Sequence, residues 1–192
     1  EIFGNAKESI QTEETQFNPT SPYGVCKAFC VQMGKVYRSG YGMHVSNGIF
    51  YNHESPRRGE NFVTQKIVQG AASIAQGKSK FLELGNLDIE RDWGYAPDYV
   101  QGMWMMLQQQ KGDDYILATG KTHKLSDFLK LAFEYFGLDH KNHIRINQKF
   151  VRPSEPVQLC GDSFKAQKIL GWKPTVCFEE MVQEMCRAAE KS

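Results

Sequence analysis

Short β-prone segments alternate with segments of helical period along most of the chain, and this alternation limits the fold more than any other feature. A helix opens at Pro22 and runs to about Arg38, with Val25, Phe29, Val31, Val36 and Tyr37 as apolar members. Proline suits a first helical turn because its missing N–H has no intrahelical partner there. Met43–Phe50 reads as a strand, then a polar, Arg-rich loop runs to about Asn61. Phe62–Gln76 has helical spacing, Phe81–Leu84 and Arg91–Tyr95 are short extended pieces, and Pro97–Gln110 is a helix. In that helix Val100, Met103, Trp104 and Leu107 read as the apolar face, with its methionines as core filler. Tyr115–Thr119 is a strand, Ser126 is placed to cap a helix that Gly137 ends near Phe136, and Ile144–Ile146 is a short strand. Phe164–Leu170 and Phe178–Ala189 are the last helices. Residues 5–20 carry no period and read as a surface loop after Glu1–Gly4, which reads as a strand end and turn. Strands alternating with helices predict an α/β fold.

Composition excludes some classes of function. The 23 basic and 22 acidic residues nearly balance, so nothing argues for bulk attraction to nucleic acid or to a membrane surface. There is no apolar run of membrane-spanning length and no signal-peptide pattern at the start. The five cysteines (Cys26, Cys30, Cys160, Cys177, Cys186) lack metal-type Cys-x-x-Cys pairs, so no metal is expected. Cys26 and Cys30 read as packing residues or free thiols, which suits a reducing cytosol and predicts a cytoplasmic protein.

Within the first helix Tyr23 and Lys27 are four apart and share one face. A lysine ammonium beside a phenol favours the phenolate, lowering a tyrosine pKa from about 10 toward working pH and making a base for an alcohol proton. Such pairs also occur on ordinary exposed helices, so the pair alone decides nothing.

The wider context decides more. Glu1-Ile2-Phe3-Gly4 precedes Ser21-Pro22-Tyr23-Gly24-Val25-Cys26-Lys27. Asn52-His53-Glu54-Ser55-Pro56-Arg57-Arg58-Gly59 and Arg91-Asp92-Trp93-Gly94 follow. In this order and spacing the chain resembles the extended short-chain dehydrogenase/reductase family and, within it, the GDP-mannose 4,6-dehydratases. The likeness runs from Glu1 to about Cys186 and is weakest in Gly137–Gln148.

The resemblance implies an NAD(P)-binding Rossmann-type doubly wound sheet plus a smaller α/β substrate lobe. It divides the chain into residues 1–61, the C-terminal part of the cofactor domain, and residues 62–192, mainly substrate lobe with elements returning to the cofactor domain. The glycine fingerprint that such a fold uses against the pyrophosphate is missing, so this chain is expected to be the C-terminal part of a longer enzyme, inactive and aggregation-prone alone.

The implied activity is conversion of GDP-mannose to GDP-4-keto-6-deoxymannose with NADP as cofactor, in a homodimer or homotetramer. Glu1, Tyr23 and Lys27 match the family's catalytic residues, and Tyr23, Lys27, His53 and Arg58 match its cofactor contacts. Arg57 matches a loop that touches a neighbouring subunit. Asn52, Lys66, Arg91, Arg152 and Glu155 resemble substrate-binding positions, the last two at the nucleoside. Gln65 stands where the family often has arginine, which bears on substrate affinity more than on reaction type. Two alternatives stay open at this point: another nucleotide-sugar dehydratase, epimerase or reductase, and a non-catalytic nucleotide-sugar-binding piece.

Overall fold

A computed structural model describes residues 1–150 and 159–191. Helix α1 spans Pro22–Tyr41 and is followed by strands β1 (Asn47–Phe50) and β2 (Asn52–Glu54) and helix α2 (Val63–Ala75). Strands β3 (Leu82–Leu84) and β4 (Glu90–Tyr95) lead to helix α3 (Ala96–Leu107), strands β5 (Asp114–Leu117) and β6 (Thr122–Lys124), and helix α4 (Leu125–Tyr135). Strand β7 (Ile144–Ile146) and helices α5 (Phe164–Leu170) and α6 (Phe178–Ala189) complete the order. The predicted α/β class holds: β1 pairs β5, β2 pairs β4 and β3 pairs β7, all parallel, while β6 adds antiparallel to β4.

Helix α1 starts where Ser21, in extended conformation, accepts the Gly24 N–H on its hydroxyl at 3.0 Å. It ends three residues beyond the expected Arg38 because Gly42 supplies the left-handed turn, with φ of 64°. A buried polar cluster fixes its far half to the sheet. Asp114 of β5 accepts from Arg38 Nη2 at 2.9 Å and from Asn47 Nδ2 at 2.8 Å, with Lys35 Nζ at 3.1 Å. Of its apolar members only Val31 is buried, and Val25, Phe29, Val36 and Tyr37 are exposed.

The largest apolar cluster lies among α2, α4, α6, β3 and β4, with Ile67, Phe128, Phe133, Met181 and Met185 at its centre. A second joins Ile2 and Phe3 to Val31, Ile49 and Ile116, and a third joins Tyr99, Met106, Leu117 and Trp172. Among the described residues no helix is long and apolar enough to cross a membrane.

Several expectations are corrected. No strand forms at Glu1–Gly4, although Ile2 and Phe3 are buried. Residues 5–20 are not simply surface: Gln11 is fully buried, pairs with Gly161 and exchanges main-chain hydrogen bonds with Cys160 and Asp162. The first strand covers only the last part of Met43–Phe50, and Asn52–Glu54 is a strand rather than loop because β4 lies ready to pair with it. Lys124, not Ser126, precedes the first turn of α4. Helix α3 turns the other way from its predicted apolar face. Val100, Met103, Trp104 and Leu107 are exposed, and Tyr99, Gly102 and Met106 face inward. Trp172 sets this orientation, because its Nε1 donates to the Asp98 carbonyl at 2.7 Å while Asp98 also takes Thr175.

Candidate active site

The first turn of α1 gathers two of the predicted catalytic groups. Ser21 donates its hydroxyl to the Glu1 carboxylate at 3.2 Å, while the Glu1 carbonyl lies so close to Gly24 that a Cβ there would sit 2.8 Å from it. Glu1 is therefore seated on the same helix end that carries Tyr23, and Lys27 Nζ lies 5.4 Å from the Tyr23 ring centroid. Tyr23 is exposed, at 60% of its surface.

Strand β2 builds the next part. Its side chains alternate, so His53 points away from Asn52 and Glu54. His53 stacks on Tyr99 with centroids 4.7 Å apart and meets Phe50 edge-on. Its Nδ1 sits 2.8 Å from the Tyr51 carbonyl, which can only accept, so Nδ1 carries the proton and Nε2 is an acceptor. Burial lowers its pKa, the Tyr51 carbonyl opposes that, and Arg58 adds to the lowering, so the ring is neutral near pH 7. Gly94, opposite His53 on β4, makes room: a Cβ there would lie 2.5 Å from the Tyr99 ring.

The loop after β2 closes through Arg58 N–H to the Ser55 carbonyl at 2.9 Å. The Arg58 guanidinium lies over the Phe62 ring at 3.6 Å. Asn52 is half-buried opposite Trp93, and Lys66 places its ammonium 3.7 Å from the Phe150 ring centroid. Arg91 is nearly buried in β4 and donates from Nη1 to the Glu90 carbonyl at 2.7 Å. Arg152 and Glu155 lie outside the described residues.

Two supporting residues escaped the sequence reading. Asp92, fully buried beside Arg91, accepts Thr119 N–H at 2.8 Å, Thr119 hydroxyl at 2.6 Å, Gly120 N–H at 2.9 Å and Gly161 N–H at 3.3 Å. Burial raises its pKa, and these four donors work against that rise. Gln11 Oε1 takes the Tyr51 hydroxyl at 2.7 Å and the Cys160 N–H at 3.1 Å. Neither had a local signal, because their partners are distant in sequence.

A family model described as GDP-mannose 4,6 dehydratase matches residues 1–185. The chain belongs to the GDP-mannose 4,6 dehydratase family. It is 48% identical to GDP-mannose 4,6 dehydratase 1 of Arabidopsis thaliana over 96% of this chain and 51% of that protein. It is 43% identical to the GDP-mannose 4,6 dehydratase of Drosophila melanogaster over 98% of this chain and 52% of that protein. The chain thus spans about half the length of the curated relatives it matches. Among solved structures, RMD from Pseudomonas aeruginosa complexed with NADPH superposes with a TM-score of 0.85 at 20% identity, over 100% of this chain and 64% of that one. That likeness shows a shared fold. These matches do not favour the alternative of a different nucleotide-sugar enzyme or a merely binding piece.

Proposed function

We propose that the full-length protein is a GDP-mannose 4,6-dehydratase, a hydro-lyase converting GDP-mannose to GDP-4-keto-6-deoxymannose and water by internal hydride transfer from C4 to C6. The observation that carries this reading is the hydrogen bond from Ser21 to Glu1, which joins a carboxylate to the helix end bearing Tyr23 and Lys27. NADP is the proposed cofactor, supported by the NADPH named with RMD, and it supplies a reversible hydride acceptor. The donor set fits such a group: a neutral His53 with Nε2 as acceptor, and the Arg58 guanidinium as a phosphate fork.

Tyr23 takes the O4 proton, with Lys27 one turn along the same helix and its ammonium 5.4 Å from the Tyr23 ring centroid. A ketone at C4 acidifies the C5 proton. Glu1 removes that proton and delivers it to the departing C6 hydroxyl, so one carboxylate is base and then acid and one water leaves; a hydride returned to C6 and a proton returned to C5, balancing the one Tyr23 took from O4, would complete the product. Asn52, Lys66 and Arg91, with Arg152 and Glu155, hold the nucleotide sugar.

Residues 1–61 are read as the C-terminal part of the cofactor domain and residues 62–192 as mainly substrate lobe. Strand β5, which returns to pair with β1, supports the elements assigned back to the cofactor domain. The protein is read as a cytoplasmic homodimer or homotetramer, a reading that rests on the family resemblance.

The test is to incubate full-length protein with GDP-mannose and catalytic NADP. Many turnovers of 4-keto product per NADP are expected. Product limited to the NADP supplied would overturn the reading.

A further inference from the structure

Glu54 is a carboxylate with only 1% of its surface exposed, at the end of β2 and one residue past His53. Burying such a group is costly unless it is paired. Its Oε2 accepts the Thr64 hydroxyl at 2.7 Å, and the Arg58 Nε lies 3.2 Å from the same oxygen. The loop does not need this carboxylate for its turns. Arg57 N–H bonds the Ser55 hydroxyl at 3.2 Å, Arg58 N–H bonds the Ser55 carbonyl at 2.9 Å, and Phe62 N–H bonds the Gly59 carbonyl at 3.1 Å. What Glu54 adds is a buried carboxylate at the stem side of one guanidinium; burial raises its pKa, and the Thr64 hydroxyl and the Arg58 charge work against that rise.

Phe62 adds the second constraint. Its ring lies 3.6 Å under the Arg58 Cζ and sets the tilt of the guanidinium plane, while Glu54 Oε2 pairs with Nε at 3.2 Å as an ion pair without a hydrogen bond from that nitrogen. A planar group paired at one edge and stacked on one face is restricted in how it can turn. The ion pair with Glu54 uses Nε and leaves the two Nη nitrogens for another acceptor. Two parallel N–H donors are the arrangement that takes a phosphate in bidentate fashion.

We propose that Glu54 and Phe62 are positioning residues that aim the Arg58 fork at a phosphate of the bound dinucleotide, with Thr64 locking Glu54 in place. This rests on the cofactor role proposed above for Arg58. A lysine at position 58 keeps the charge and loses the fork, and a loose arginine keeps the fork and loses its aim. Glu54 and Phe62 act only on aim, so their effect exists only while Arg58 is present.

A thermodynamic cycle on the full-length protein tests this, reading the Kd for NADP by fluorescence titration, with circular dichroism to verify folding. Glu54→Gln keeps the shape and can still accept from Thr64, and it is expected to weaken NADP binding about tenfold, the scale of a close ion pair with one buried partner. Phe62→Leu removes the ring from a half-exposed site where folding is not at risk, and weakens binding roughly threefold, the scale of an exposed cation–π contact. Phe62→Tyr restores it. In an Arg58→Met background both effects shrink to within about twofold, because residues acting through one partner are not additive.

Equal weakening by Glu54→Gln with and without Arg58 would overturn the positioning role. So would wild-type affinity in both folded variants while Arg58→Met weakens NADP binding. If Arg58→Met leaves the Kd for NADP unchanged, or weakens GDP-mannose binding instead, the cofactor role of Arg58 fails and the inference with it.

Discussion

Asp92→Asn is the substitution from which the structure predicts the most at one stroke. The side chain is fully buried and accepts four hydrogen bonds, two on each oxygen. An asparagine of the same shape keeps one oxygen. If it stays on Thr119, the new amide points two donors at the N–H groups of Gly120 and Gly161, which are left without an acceptor. Each buried unsatisfied donor costs about 1–3 kcal/mol, and the kept bonds lose their charge assistance, so the total is about 3–5 kcal/mol. Set against the roughly 5–15 kcal/mol that holds a domain together, this is a large fraction, and it corresponds to a Tm lowered by about 10 °C. Lost pairing should also loosen the strand position next door, where Arg91 sits.

The assay is thermal melting of the full-length protein, with hydrogen exchange at Gly120 and Gly161. Both amides should exchange faster, while Ile67 and Phe128 in the other cluster should not, and the KM for GDP-mannose should rise. A Tm within about 2 °C of wild type, a shift worth under roughly 1 kcal/mol, with unchanged exchange at both glycines, would refute the reasoning.

Other expectations follow from the same contacts. Burial alone would raise the Asp114 pKa, but hydrogen bonds from Asn47, Lys35 and Arg38 bring it below its usual value. A depressed carboxyl stabilises the fold above its unfolded pKa of about 3.9, and that share is lost as pH falls through the lower folded value. Asp114→Asn should therefore cost about 1–3 kcal/mol at neutral pH in urea melts, and the difference should shrink in acid. A pH-independent difference would contradict this. Gly94→Ala drives a methyl into the buried Tyr99 ring, so it should cost about 1–3 kcal/mol in melts and weaken NADP binding through the His53 stack. Wild-type values for both would contradict it. His53, held neutral by burial, should keep NADP affinity constant as pH falls from 7 to the ordinary histidine pKa of about 6.5, whereas a break at that value would show that the ring titrates normally.

Much of the fold was legible because some signals are local. The helices at Phe164–Leu170 and Phe178–Ala189 match their expected ends, and α2 differs by one residue at each end, since apolar period and glycine stops act within a turn. Strands β2 and β6 were not legible. They are three residues each, largely polar, and exist because β4 lies between them. The outward set of α3 was misread because its bulkiest residues are not the buried ones, and the deciding contacts come from Trp172 and Thr175, far along the chain. In the site, Tyr23, Lys27, His53 and Arg58 stand in recognisable motifs. Glu54 and Asp92 lie inside those motifs but carried no assigned role, and Gln11 looks in sequence like any polar residue; burial and hydrogen-bond partners distinguish all three.

The central claim is that Tyr23, Lys27 and Glu1 serve one sugar in sequence. The direct measurement follows deuterium from the C4 position of labelled GDP-mannose in wild-type and Glu1→Gln full-length protein. The account predicts label at C6 of the wild-type product, and in Glu1→Gln a C4 ketone that keeps its C6 hydroxyl. Label lost to solvent or to released reduced cofactor in wild type, or normal dehydration without the Glu1 carboxylate, would contradict it.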